Sequence, residues 1–430
     1  MATPSQGDFE EMAFMLGTVF NPTVPINRED LFAGRQDQRR DVVDAINQRG
    51  QHAVLYGERG VGKTSLANMI FPKLRSADSS TIIAPQVNCM TGDSYSEIWK
   101  RVFEEILFDA ANGNKYDLDK RTKKLLRENT IPFADQITPD IVRRVLYSLG
   151  QDAVVVVILD EFDVIESETT RATISDTLKF LSDRAVPATV VLIGVADDVD
   201  SLIANHRSQE RCLRQIMMPR MSDRELDTIV LQGLHKVKME IEKPALREIS
   251  RLSRGLPHYA HLLGLHSGRC ALDSNKVVVS SEQVQTALQE VVGKAQASIK
   301  SDYVKAISSS RKDARYKQVI LACALAETDD LGWFYPRDVR GPLEAILKRR
   351  PVKIEAFARH LHTFCEDGHG SVLVSDNKSV RPKFRFDNPL LQPYILVRGL
   401  AENLIAVKDL EKLKEIVSSD PTESQGTLFD

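Results

Sequence analysis

Residues 57–65 read Gly-Glu-Arg-Gly-Val-Gly-Lys-Thr-Ser, glycines and a lysine at the spacing GxxxxGK[ST]. That order suits phosphate. Gly57, Gly60 and Gly62 let backbone N–H groups turn inward around an anion, with Glu58, Arg59 and Val61 completing the loop. Lys63 adds a point charge where β- and γ-phosphate oxygens would lie, and Thr64 offers a hydroxyl to Mg²⁺. The apolar run Ala53–Tyr56 precedes the loop. Ser65 to Ile70 reads as the helix that follows it, with its N-terminus toward the anion.

A loop of this kind needs a carboxylate at the end of a buried strand. Residues 153–159, Ala-Val-Val-Val-Val-Ile-Leu, form a continuous apolar run typical of a strand covered on both faces, and Asp160-Glu161-Phe162-Asp163 follow it. Asp160 is the expected Mg²⁺ carboxylate, and Glu161 is placed to orient or deprotonate an attacking water. Alone, the acid run reads as a solvated strand end with a turn. Behind a phosphate loop about a hundred residues earlier, it reads as a metal site.

The elements that position these residues alternate. Helices are expected at 31–46, 97–110, 138–147 and 169–184, and strands at 53–56, 81–87, 153–159 and 189–195. Thr138-Pro139 has the form of an N-cap with proline in the first turn. The pattern implies an α/β fold with a parallel sheet covered by helices on both faces, over residues 31–220 after an N-terminal extension of residues 1–30 draped on it. From Ser222 the pattern becomes helical. Ser222-Asp223-Arg224-Glu225 is a capping box, Gly255 ends a helix from Pro244, and further helices follow at 257–271 and 281–293, an all-α lid over 221–310. Helices at 315–327, 336–348 and 353–365, then a hairpin from 371–374 and 382–386, are the parts of a winged helix over 311–400. A C-terminal helix and flexible tail occupy 401–430.

Composition excludes several classes. The 430 residues are 42% hydrophobic and 27% charged, the balance of globular protein, with no apolar run long enough to span a membrane. The first residues carry Asp8, Glu10 and Glu11 in place of a basic and apolar leader, and the five cysteines never form a CxxC pair. A cytoplasmic protein with reduced thiols is expected. The net charge of −3 is uneven: residues 311–400 hold sixteen Lys and Arg against eleven Asp and Glu, leaving −8 on the rest.

Phe32-Ala33-Gly34-Arg35, the phosphate loop, Asn88-Cys89, Asp160-Glu161-Phe162-Asp163, the helical lid and the closing Phe384-Arg385-Phe386-Asp387-Asn388-Pro389 resemble the origin-recognition (Orc-type) AAA+ ATPases and their STAND relatives. The resemblance covers residues 25–400. It implies a switch that binds ATP or ADP with Mg²⁺ between the sheet domain and the lid and assembles with itself or partners, often on DNA. Arg35 then lies near the adenine and ribose. Asp197, after the strand ending at Val195, replaces the usual neutral residue at the γ-phosphate, and its charge implies slow hydrolysis. Arg211 stands where the family has an arginine finger, with Arg207 and Arg214 as competitors, any of them equally a surface arginine on a helix. His258 takes the place of a lid arginine that reaches the phosphates.

Lys353, Arg359, Lys378, Arg381 and Lys383 would meet DNA if the winged helix binds it. The same charges suit a solvated face, and STAND proteins use winged helices to latch nucleotide. A signalling or defence ATPase controlling an effector protein without DNA is therefore the alternative, and a loader or transposition regulator forming rings or filaments is a third reading. Gln425-Gly-Thr-Leu428-Phe429 resembles the QxxLF peptide that docks on the bacterial sliding clamp.

Overall fold

A computed structural model describes residues 6–22, 34–77, 81–111, 124, 126, 137–151, 153–199, 202–203, 211–309, 315–348, 351–376 and 382–406. By contact the chain divides into two units, residues 24–219 and residues 1–23 with 220–430. Phe32-Ala33, Arg207, Lys378, Arg381 and the Gln425–Phe429 segment, named above, lie outside the described residues.

The first helix, α1 (Gln6–Val19), belongs with the C-terminal unit. The sheet unit then runs α2 (Gln36–Asn47), β1 (His52–Gly57), α3 (Lys63–Ala77), β2 (Thr81–Ile83), β3 (Gln86–Asn88), α4 (Tyr95–Ala111), α5 (Pro139–Leu149), β4 (Ala153–Asp160), α6 (Glu168–Asp183), β5 (Ala188–Val195) and β6 (Leu213–Met217). The strand order is β2-β4-β5-β1-β6, with β3 also on β4, and every pairing in this sheet is parallel. β5 therefore separates the phosphate-loop strand β1 from the acid-bearing strand β4. The apolar runs are buried as two-sided coverage requires, from Val155 to Leu159 and from Val190 to Ile193.

The single strand expected at 81–87 is two short strands. Pro85 has no N–H to give to a ladder, so pairing with β4 breaks there, while its carbonyl still accepts from the Ile158 N–H at 2.9 Å. β6 was not expected at all. Arg214 lies on it and pairs with Asp41 of α2, so it is a strand residue with a partner on its own chain. Thr138 caps α5 as anticipated, its side chain accepting from the Ile141 N–H at 3.4 Å.

The second unit comprises α1, α7 (Asp223–Lys236), β7 (Glu240–Ile241), α8 (Lys243–Ser253), α9 (Pro257–Asp273), β8 (Val278–Val279), α10 (Ser281–Lys294), α11 (Ala297–Ile307), α12 (Tyr316–Leu325), α13 (Pro336–Leu347), α14 (Glu355–Thr363), the antiparallel hairpin β9 (Leu373–Asp376) and β10 (Lys383–Phe386), and α15 (Leu391–Ala401). The reciprocal capping bonds of Ser222 and Glu225 form as anticipated. α9 is buried along most of its length and packs on α7, α8 and α10.

Where a polar drape was expected over residues 1–30, residues 6–19 instead form α1, which belongs to the C-terminal unit. Leu16 of α1 and Phe20 just beyond its end are fully buried, and Phe20 enters a groove where Cβ atoms at Gly233 and Gly264 would stand 2.3 and 2.8 Å from its ring. Only glycine leaves room for that ring. Further along, Arg220 donates to the Arg254 carbonyl at 3.3 Å and to Gln392 Oε1 at 2.6 Å, while Gln392 donates to the Ala324 carbonyl at 3.1 Å. This network ties α8, α12 and α15 together. Three helices and a hairpin follow one another over 316–386 in the expected order, and a bridge from Phe334 to Phe384 packs their rings with Phe386.

Candidate functional site

β1 ends in Gly57, whose φ of 146° and contact with the Met218 carbonyl leave no space for a side chain: a Cβ would stand 2.4 Å from that oxygen. Gly60 and Gly62 have φ of 85° and 95°. These left-handed positions curl the loop so that α3 starts at Lys63, with Thr64 and Ser65 in its first turn. Lys63 donates to the carbonyls of Gly57 at 2.9 Å and Glu58 at 2.7 Å. Burial, aided by the field of Arg59, pushes its ammonium down to about 8, against the fields of Asp163, Asp160 and Glu58, which favour the charge.

The loop is held from below by Arg35. Its side chain is 3% exposed and donates to the carbonyls of Val61 at 3.0 Å and Pro219 at 2.5 Å. Arg35 thus braces the loop, a contact between residues 26 apart that spacing alone does not reveal.

β4 brings Asp160 to the same end of the sheet. Its side chain is 3% exposed, and Oδ1 accepts from the Glu161 N–H at 2.9 Å. Glu161 is exposed, with φ of 55°, where the chain leaves the strand for the 3-10 turn Phe162–Val164. β3 ends beside it: Asn88 stands level with Asp160, and the Cys89 N–H donates to the Asp160 carbonyl at 2.8 Å. Burial first, then Asp93, pushes the Cys89 thiol up to about 12, so it stays protonated.

Asp197 is half-buried just past β5, and the exposed Asp198 raises Tyr56 further after burial has done so. The structure therefore gathers Lys63, Thr64, Asp160, Glu161 and Asp197 at the carboxyl ends of β1, β4 and β5. Arg211 lies exposed in the turn before β6. His258 is in the other unit, where its Nδ1 lies 2.7 Å from the Pro22 carbonyl and burial lowers its pKa. Asp163 was quoted in the acid run without a role, yet its Oδ1 accepts from the Val195 N–H at 2.8 Å. Its spacing of three from Asp160, across a tight turn, was the available signal.

The residues present fit a Mg²⁺-bound nucleotide. Positive-φ glycines and the start of a fifteen-residue helix supply N–H donors, Lys63 a buried cation, and Thr64 and Asp160 oxygen ligands for the metal.

A family model described as novel STAND NTPase 1 matches residues 25–265. The chain belongs to that family. It is a P-loop NTPase of the STAND/AAA+ type, and its sheet flanked by helices is the fold of such proteins. The Walker-type ATPase PABY2304 of Pyrococcus abyssi superposes with a TM-score of 0.53 at 14% identity, over 88% of this chain and 99% of that one. The Orc1 protein of Aeropyrum pernix, in complex with DNA, gives 0.44 at 14% identity, over 91% and 98%. Drosophila ORC bound to DNA gives 0.44 at 14%, over 93% and 94%. At 14% identity the likeness to the first of these, with its TM-score of 0.53, concerns the fold alone. No curated protein matches this NTPase by sequence. Among the described residues no helix is long and apolar enough to cross a membrane.

Proposed function

We propose that this STAND NTPase binds ATP with Mg²⁺ at residues 57–65, hydrolyses it slowly to ADP, and uses the exchange to govern assembly with further copies of itself on DNA. The carrying observation is Lys63: a buried ammonium bonded to the carbonyls of Gly57 and Glu58, beside the carboxylates of β4. A polyanion at the loop gives that cation an opposite charge and gives the inward N–H groups acceptors.

Thr64 and Asp160 would hold the metal, which when bound would neutralise charge on the phosphates. Glu161, exposed at the strand end, orients the attacking water and takes its proton. Asp197 brings a negative charge near the reacting group and slows the step. Arg211, exposed before β6, serves as the finger offered to a neighbouring copy. The second unit divides functionally into a lid over 221–310 and a winged helix over 311–400, with Lys353, Arg359, Lys378, Arg381 and Lys383 on phosphates. The tail Gln425, Leu428 and Phe429 is a candidate peptide for a sliding clamp.

One observation favours the second reading, control of an effector protein without DNA. Lys383 and Arg385 lie 4.7 and 4.6 Å over the Trp333 ring, and Lys383 stands 3.7 Å from Asp376, so these wing cations already have partners. Titrating duplex DNA into the full chain with a non-hydrolysable ATP analogue separates the two. Binding that weakens with salt and with Lys353→Glu, Arg359→Glu supports the first reading. Nucleotide-dependent assembly without DNA affinity leaves the effector reading, and failure to bind nucleotide at all rejects both.

A further inference from the structure

The acid run does more than carry a metal ligand. After Asp160 the chain turns through Glu161 at φ 55°, a conformation that a β-carbon disfavours, and closes with the Val164 N–H donating to the Glu161 carbonyl at 3.1 Å. Phe162 and Ile165, both buried in the core, pin the turn from below. This places Asp163 against the end of β5, where Oδ1 accepts from the Val195 N–H at 2.8 Å. Gly194 permits the approach: a Cβ there would stand 3.1 Å from Asp163 Oδ1 and 2.7 Å from Leu202 Cδ2. Val195 is level with Gly57 across the β1–β5 ladder, and the Gly57 carbonyl accepts from Lys63. One carboxylate thus stands where the acid turn, the last residue of β5 and the first residue of the phosphate loop converge.

We propose that Asp163 is a positioning residue that clamps the end of β5 to the Asp160–Glu161 turn, and so sets where Asp197 stands relative to the metal-binding carboxylate. The inference rests on the reading of this site as an NTPase centre. A local cap would satisfy one N–H and end there. A clamp joins two strands whose ends bear different parts of the site, so its loss moves them relative to each other while the nucleotide's hold on Lys63 persists.

The test compares Asp163→Ala with Asp163→Asn, because asparagine keeps an oxygen that accepts from Val195. In Asp163→Ala, exchange of the Val195 amide hydrogen quickens by about tenfold, as loss of one hydrogen bond implies. Its kcat for ATP falls at least about tenfold, the effect expected when a catalytic centre loses its alignment, while KM and ATP-analogue binding stay near the parent values. Asp163→Asn restores the amide protection and most of the kcat. An unchanged Val195 exchange rate in Asp163→Ala overturns the clamp, as does a parent-like kcat. Asp163→Asn as slow as Asp163→Ala overturns it too, since charge and not the bond would then act. A parent chain that binds ATP without any turnover rejects the hydrolysis reading, while the exchange measurement still decides the clamp.

Discussion

His52 opens the phosphate-loop strand and makes that strand's stability depend on acid. Its ring is fully buried, with Nδ1 3.1 Å from the Val190 N–H and Nε2 3.0 Å from the Leu178 carbonyl. The Val190 N–H can only donate, so Nδ1 must be the acceptor and Nε2 must carry the proton. A second proton on Nδ1 breaks the Val190 bond and places a charge in the core. Burial accordingly lowers the His52 pKa from 6.5 to about 4. The folded state binds this proton less readily than the unfolded state, so the contribution is complete above pH 6.5 and drains away as pH falls toward 4. The difference of about 2.5 units amounts to about 3 kcal/mol, with a limiting slope of about 1.4 kcal/mol per pH unit. The assay is urea unfolding from pH 4.5 to 7.5 in a Trp333→Phe background, where Trp99, in the core of the sheet unit, is the remaining tryptophan of two. His52→Gln, which can serve both partners without titrating, should flatten the acid limb by that amount, and the parent-minus-variant difference cancels the carboxylates common to both. Parallel curves for parent and variant refute the reasoning.

Three further outcomes are expected. Lys63→Ala abolishes binding of a fluorescent ATP analogue, whereas Glu161→Gln keeps binding and loses turnover; Glu161→Gln hydrolysing at the parent rate removes that residue from its role. If Arg211 acts across a subunit boundary, mixing Arg211→Ala with Glu161→Gln restores part of the phosphate release that each lacks, and no recovery at any ratio counts against a shared site. Phe20→Ala empties the glycine-floored groove between α7 and α9 and destabilises the C-terminal unit by about 3–5 kcal/mol, measured by unfolding followed at Trp333; a loss under 1 kcal/mol means that α1 does not hold that unit together.

The local features were legible because each is complete within a few residues. The phosphate loop, the buried strand ending in Asp160, the Thr138-Pro139 cap and the Ser222–Glu225 box all announce themselves by residue type and short spacing, and the structure forms each strand, cap and loop where expected. β6 was not legible: Leu213-Arg214-Gln215-Ile216-Met217 has a strand's length but neither clean alternation nor a long apolar run, and an arginine in it pointed toward a helix face. The role of α1 was hidden for a related reason. Its helix is weakly patterned, and what receives Phe20 is a set of glycines more than two hundred residues away.

The sequence by itself pointed to the chemistry this chain can attempt, since a lysine and three glycines at those spacings after an apolar strand are the parts of a nucleotide-binding loop. Tertiary structure alone decided how that chemistry is held. Inserting β5 between β1 and β4 puts Val195 within reach of Asp163, folding the chain back at Pro219 gives Arg35 its second carbonyl, and pairing β6 with β1 turns Arg214 toward Asp41. Each of those contacts joins residues that are 32, 184 and 173 positions apart. Local spacing carries no information about such pairs, because what brings them together is the burial of whole strands and helices in one sheet unit.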